Sequence, residues 1–206
     1  MYARSTTVLA HPESINAGIA HIRDEVMPTL LGMHGCIGLS MLADRTSGRC
    51  IATSAWQTRE AMLASEPQLR PLRDHAAEIL GARPQVDQWE IAVLHRDHTS
   101  GPGACVRVTW VRMEPERADR VVDVYGMALL PAMQDYDGFC SASLLTDRAS
   151  GLAVSSVTYD SLEAMQRSRE KADALREKGA TETGVGIIEV CEFELALAHL
   201  RVPEMV

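Results

Sequence analysis

A chain of 206 residues, 46% hydrophobic and 23% charged, has ordinary globular composition and length enough for one or two cores, which excludes a disordered protein. Twenty Lys and Arg against 28 Asp and Glu give a net charge of −8, and without a basic run there is no electrostatic footprint for nucleic acid or an anionic membrane. No apolar stretch approaches the roughly 20 residues that span a bilayer, and the N-terminus lacks a basic-then-apolar leader, so a cytoplasmic location is expected; five cysteines without a C-x-x-C suggest neither a disulfide framework nor a metal site.

From the N-terminus, Arg4 to Ala10 is rich in Val and Thr and stops at His11-Pro12, as a strand would. Ile15, Ile19, Ile22, Val26 and Leu30 then step by helical intervals and give a helix with one apolar face, which Pro28 is expected to kink or shorten near its end. Cys36 to Ala43 and Arg49 to Trp56 read as two strands joined by a hairpin, because Asp44 can bond its own turn and Gly48 accepts a positive φ. Thr58-Arg59-Glu60 opens a second helix, and Gln85 to Leu94 is a last strand.

The same order then recurs. At an offset of 103, Pro28 falls on Pro131, Gly35 on Gly138, Asp44-Arg45 on Asp147-Arg148, Ser47-Gly48 on Ser150-Gly151, Glu60-Ala61-Met62 on Glu163-Ala164-Met165, and Ser65 on Ser168. Twelve identities in the 38 positions from Pro28 to Ser65 mark a tandem duplication. The second copy has strands at Val106 to Met113 and Ile187 to Leu197, and a helical stripe of Ala118, Val122, Tyr125, Leu129 and Met133. The predicted domains are therefore residues 1–97 and 104–206, with 98–103 as linker.

Strand, helix, strand, strand, helix, strand is the ferredoxin-like unit, an α+β fold whose sheet carries helices on one face only. Two such repeats are expected to cover each other's bare sheet face as an intrachain pseudo-dimeric α/β barrel, either monomeric or further paired as a homodimer. Between each sheet and its helices there is room for a small apolar or aromatic ligand.

On these motifs the chain resembles the antibiotic biosynthesis monooxygenase family, as a tandem member of the dimeric α/β barrel superfamily. The resemblance spans Tyr2 to His199 and rests on Gly35-Cys-Ile-Gly-Leu39 and Gly138-Phe-Cys-Ser-Ala142, the aromatic that ends each third strand (Trp56, Tyr159), and the Glu-Ala-Met that follows. It implies a cofactor-independent monooxygenase acting on a phenolic or quinone-like metabolite, a ligand-binding module without catalysis, or a haem-degrading protein. Haem-degrading relatives carry an Asn, a Trp and a ligating His; the matching positions here are Thr7, Ser65 and, near the third, His75, with Lys178 in the second copy.

Cofactor-free oxygenation requires a dry cavity that binds a ring, shares its proton and stabilises the anion. Strand alternation places Ser5, Thr7 and Leu9 on one face, and Val108, Trp110 and Arg112 on its equivalent. If that face meets the helices, Thr7, His75, Trp110 and Tyr125 are the catalytic candidates, Tyr125 because it alone interrupts an aliphatic stripe with a polar tip. Ser5, His34, Trp56, Arg112 and Tyr159 are the substrate-binding candidates. Asp44-Arg45 and Asp147-Arg148 are assigned to turn structure.

Overall fold

The computed structural model describes residues 1–200, and the element order of each repeat is the one expected. In the first repeat these are β1 (Tyr2–Leu9), α1 (Ile15–His21), α2 (Met27–Leu31), β2 (Cys36–Ala43), β3 (Arg49–Trp56), α3 (Arg59–Ala64), α4 (Glu66–Leu80) and β4 (Gln85–Arg96). The second has β5 (Cys105–Arg112), α5 (Ala118–Val124), α6 (Leu130–Gln134), β6 (Phe139–Asp147), β7 (Leu152–Tyr159), α7 (Leu162–Arg167), α8 (Arg169–Thr183) and β8 (Gly186–Leu200).

Packing divides the chain into two units, Met1–Trp89 with the segment from Glu194, and Glu90–Phe193. The boundaries fall inside β4 and β8. In the first unit the order is β1-β3-β2-β8, with Gly38 facing Leu200 and Ala43 facing Glu194; in the second it is β5-β7-β6-β4, with Glu90 facing Thr146 and Arg96 facing Ser141. These ladders are antiparallel. Each unit has its own apolar core, around Ile15, Met41 and Trp56 in the first and around Leu144, Tyr159 and Met165 in the second.

The hairpins close as their residues dictate. Asp44 Oδ1 accepts from Thr46 N at 2.9 Å and Asp147 Oδ1 from Ala149 N at 3.1 Å, while Gly48 and Gly151 take φ of 79° and 68°. Thr58 and Ser161 cap the following helices, their hydroxyls accepting from Ala61 N and Ala164 N. The turn arginines are held outward, Arg45 by Glu194 and Arg148 by Glu90 and Asp119.

Each proline lies in a helical segment interrupted by a π turn. In both repeats that turn precedes the proline, Ile22–Val26 before Pro28 and Tyr125–Leu129 before Pro131. Met27 N bonds Ile22 O and Leu130 N bonds Tyr125 O, five residues back. The extra residue per turn restarts the α-helix so that each proline falls in its first turn, where no N–H partner is needed.

Candidate functional site

Each unit contains a largely apolar cavity between its own sheet and helices, about 70 Å³ in the first and about 90 Å³ in the second. The π turns help to form both, through Ile22 and Val26 in one and Tyr125 and Leu129 in the other. From the first strand of each repeat, Arg4, Thr6 and Val8, and Arg107, Thr109 and Val111, face the cavities.

This face is the reverse of the expected one, since β alternation carries Ser5, Thr7, Trp110 and Arg112 to the other side. Ser5 is buried there and its hydroxyl accepts from Trp89 Nε1 at 2.8 Å. Trp110 meets Phe193 edge-on at 6.3 Å, Thr7 is half-buried and Arg112 is exposed. His34 is exposed in the turn before β2, and His75 is exposed on α4, beside Glu78 and edge-on to His21. Trp56 is fully buried in the core and donates to Ser54 Oγ at 3.0 Å. Only Tyr125 and Tyr159, of the nine residues named from sequence, line a cavity.

The groups that sequence reasoning missed are arginines, Arg4 and Arg73 in the first cavity and Arg107 and Arg176 in the second. Arg4 and Arg107 are each only 4% exposed, in walls that are otherwise mostly apolar. A buried guanidinium needs nearly every N–H satisfied. Arg4 Nη1 donates to Ser65 Oγ at 3.0 Å and Nη2 to Met62 O at 2.6 Å; Glu66, held by Arg73 at 2.6 Å, lies 3.3 Å from Nη1. Its Nε has no protein partner. Burial pulls Arg4 below the ordinary arginine value, and Glu66 opposes that pull.

Arg107 uses the same scaffold with different charges. Nη1 reaches Ser168 Oγ and the Tyr159 hydroxyl, each at 3.3 Å, and Nη2 donates to Met165 O at 2.8 Å. Nε and Nη2 both donate to Glu192 Oε1, and Arg169 holds the other carboxylate oxygen. Ser65 and Ser168 sit at the break between the two helices that follow the third strand, so the helix break presents its hydroxyl and the preceding carbonyl to the arginine. Arg4, Ser65 and Arg73 recur at the offset of 103 as Arg107, Ser168 and Arg176. That repeated triplet was the available signal.

The second cavity has three tyrosines. Tyr125 donates to Ser143 O at 3.1 Å and lies 3.0 Å from Ser155 Oγ. Tyr159 stacks on Tyr136 at 6.4 Å, with the Arg107 guanidinium 5.5 Å from its ring. The Tyr136 hydroxyl is buried with no protein partner. Burial raises all three phenols, Tyr136 to about 12 and Tyr125 further. They therefore act as donors near neutral pH. Among the described residues no His, Asp or Glu lines either cavity, so the walls can stabilise an anion but offer no ordinary base.

No family model matches the chain. It is 57% identical to the uncharacterized protein Rv2557 of Mycobacterium tuberculosis over 206 residues, all of this chain and 92% of that one. It is also 52% identical to the uncharacterized protein Rv2558 of the same organism, covering 88% of it. The chain belongs to their family. In solved structures its fold matches a candidate monooxygenase from Lactobacillus acidophilus with a TM-score of 0.72 at 10% identity, over 97% of this chain and 96% of that one. It also matches an anthrone oxidase-like protein at 0.65 and 13% identity, covering 99% and 95%. A heme-degrading enzyme from Listeria monocytogenes follows at 0.54 and 10% identity, covering 95% and 99%. The chain thus has the tandem ferredoxin-like α+β fold of the antibiotic biosynthesis monooxygenase type. Among the described residues no helix is long and apolar enough to cross a membrane.

Proposed function

We propose that the second unit is a cofactor-independent monooxygenase site that binds a small single-ring phenol or enol as its anion and lets it react with dioxygen. The observation that carries this reading is the buried Arg107 guanidinium set beside Tyr159 and the unpartnered Tyr136 hydroxyl in an apolar cavity. Arg107 and Arg169 share the single Glu192 carboxylate, and the positive charge left over, with the Tyr136 donor, lowers the pKa of a bound phenol or enol, which substitutes for the missing base. The anion can then donate an electron to oxygen. In the net reaction an activated methylene carbon gains one oxygen atom as a carbonyl, and its two hydrogens leave with the second oxygen atom as water.

Size limits the substrate. A cavity of about 150 Å³ admits benzene, so the second cavity, at about 90 Å³, accepts one ring only as flexible liners such as Met133 move, and a tricycle exceeds it. Oxygen uptake should be followed with a panel of monocyclic hydroquinones and enols, with anthrone as the oversized control. Oxygen-dependent turnover that falls at least ten-fold in Arg107→Met and in Tyr136→Phe is expected. Turnover indifferent to oxygen, or undiminished from wild type in either variant, overturns the reading.

The absence of a carboxylate or imidazole among the cavity liners favours a second reading, a ligand-binding module without catalysis. Native mass spectrometry that finds a retained, unconverted small molecule would select it. The haem reading fits poorly, because His75 is exposed and lines neither cavity, and neither cavity approaches haem size. It predicts a Soret band on reconstitution that is lost in His75→Ala.

A further inference from the structure

The end of β4 brings together a second set of reactive side chains, none of which lines either cavity. The N–H groups of Asp97 and His98 both donate to Cys140 O, at 2.8 and 3.3 Å, and pin the start of the linker onto β6. His98 Nε2 is then 2.9 Å from Asp160 Oδ1, at the end of β7, and Cys140 Sγ donates to that same oxygen at 3.1 Å. Imidazole nitrogen, sulfur and carboxylate oxygen all lie within 4.8 Å of one another. On the other side of the ring, His98 Nδ1 is 2.9 Å from Asp97 Oδ2.

The fold does not demand this cluster. At the offset of 103 the first repeat has Ile37 for Cys140 and Gln57 for Asp160, and it forms the same strands without them. Cys140 is fully buried while the His98 and Asp160 side chains are 42% and 49% exposed, so the group has a closed floor and a solvent-facing side.

We propose that His98, Cys140 and Asp160 form a binding site for a zinc-class divalent ion, with a fourth position open to water and Asp97 orienting the imidazole. One thiolate, one imidazole and one carboxylate are the donor set of zinc; calcium and magnesium prefer oxygen alone. Bonds of about 2.0–2.3 Å in a tetrahedron space the donors about 3.3–3.8 Å apart. The present contacts of 2.9 and 3.1 Å need open by only a few tenths of an ångström. A carboxylate on the far ring nitrogen is the usual outer partner of a zinc-bound histidine. Binding would displace the thiol proton and any proton shared between His98 and Asp160, and tie the linker to β6 and the end of β7.

Cobalt titration of the full-length, metal-stripped protein tests the site, because cobalt occupies zinc positions and gives a near-ultraviolet charge-transfer band when bound to thiolate. One equivalent should bind, with that band, and zinc should displace it. Cys140→Ser should abolish the band while the other four cysteines remain. His98→Ala and Asp160→Asn, on exposed side chains that tolerate change, should each weaken binding at least ten-fold, and Asp97→Asn by roughly 10- to 100-fold. A protein that shows no band at saturation, a band that survives Cys140→Ser, or an affinity unchanged in His98→Ala and Asp160→Asn overturns the proposal.

Discussion

Replacing Tyr136 with Phe separates stability from binding in one step. The hydroxyl is buried, no protein group pairs with it, and the ring stacks on Tyr159 at 6.4 Å, so the substitution removes a desolvated polar atom and leaves the packing intact. An unsatisfied buried polar group costs about 1–3 kcal/mol, and Tyr136→Phe should therefore stabilise the protein by about that amount. For a chain of this size the melting temperature should rise by about 2–4 °C per kcal/mol. Tyr125→Phe, chemically the same change, should destabilise by about 1–2 kcal/mol, because that hydroxyl serves both Ser143 O and Ser155 Oγ. Binding should move the other way at Tyr136: losing a hydrogen bond to a phenolate or enolate of about 1.5–3 kcal/mol weakens affinity by about 10- to 150-fold. Urea unfolding and calorimetric titration with a monocyclic phenol read the two effects. A Tyr136→Phe protein that loses more than about 1 kcal/mol refutes the unpaired hydroxyl, and one that gains stability with unchanged affinity refutes its role toward ligand.

Arg73→Met should lower stability at neutral pH by about 0.5–1 kcal/mol through lost pairing with Glu66, a modest figure because that carboxylate is 40% exposed. The Arg73 hydrogen bond holds the Glu66 carboxyl below its ordinary value, so the pairing contributes fully above the unfolded carboxyl range and is lost as pH falls through the folded value. The difference between wild type and variant should shrink along that acid limb in urea titrations and also at high salt. Gly48→Ala should cost about 2 kcal/mol or more, since φ is 79° and the added carbon would run into the backbone oxygen of Ala10; chemical denaturation would show it. Thr7→Val and Trp110→Phe, on the strand faces away from the cavities, should leave ligand affinity unchanged. Losses there that match Tyr136→Phe would restore the face read from sequence.

The element order was legible because the duplication offers two readings of every segment, and β2 and β3 begin and end where the hairpin chemistry says they should. The cavity face was not. Alternation fixes which residues share a side but not which side meets the helices, and Arg4 and Arg107 made the true inner face look like the solvent face. Trp110 made the opposite face look like a pocket, whereas its ring packs against Phe193. The π turns were hidden because proline in a helix first suggests a kink, although steps of four, three, four and four residues from Ile15 to Leu30 are slightly wider than a regular helix. The cluster of His98, Cys140 and Asp160 is assembled by strand pairing over a long stretch of sequence and leaves no short motif.

The place of Glu194–Leu200 beside β2 has a consequence for biosynthesis. On the ribosome, the N-terminal half has emerged long before the peptide that finishes its sheet, and at about 5–20 residues per second the interval is roughly 5–20 s. Until then β2 lacks its outer neighbour, and its exposed edge invites mispairing or chaperone capture. Nicking the nascent polypeptide between the halves would strand both fragments, each awaiting a segment that the other carries.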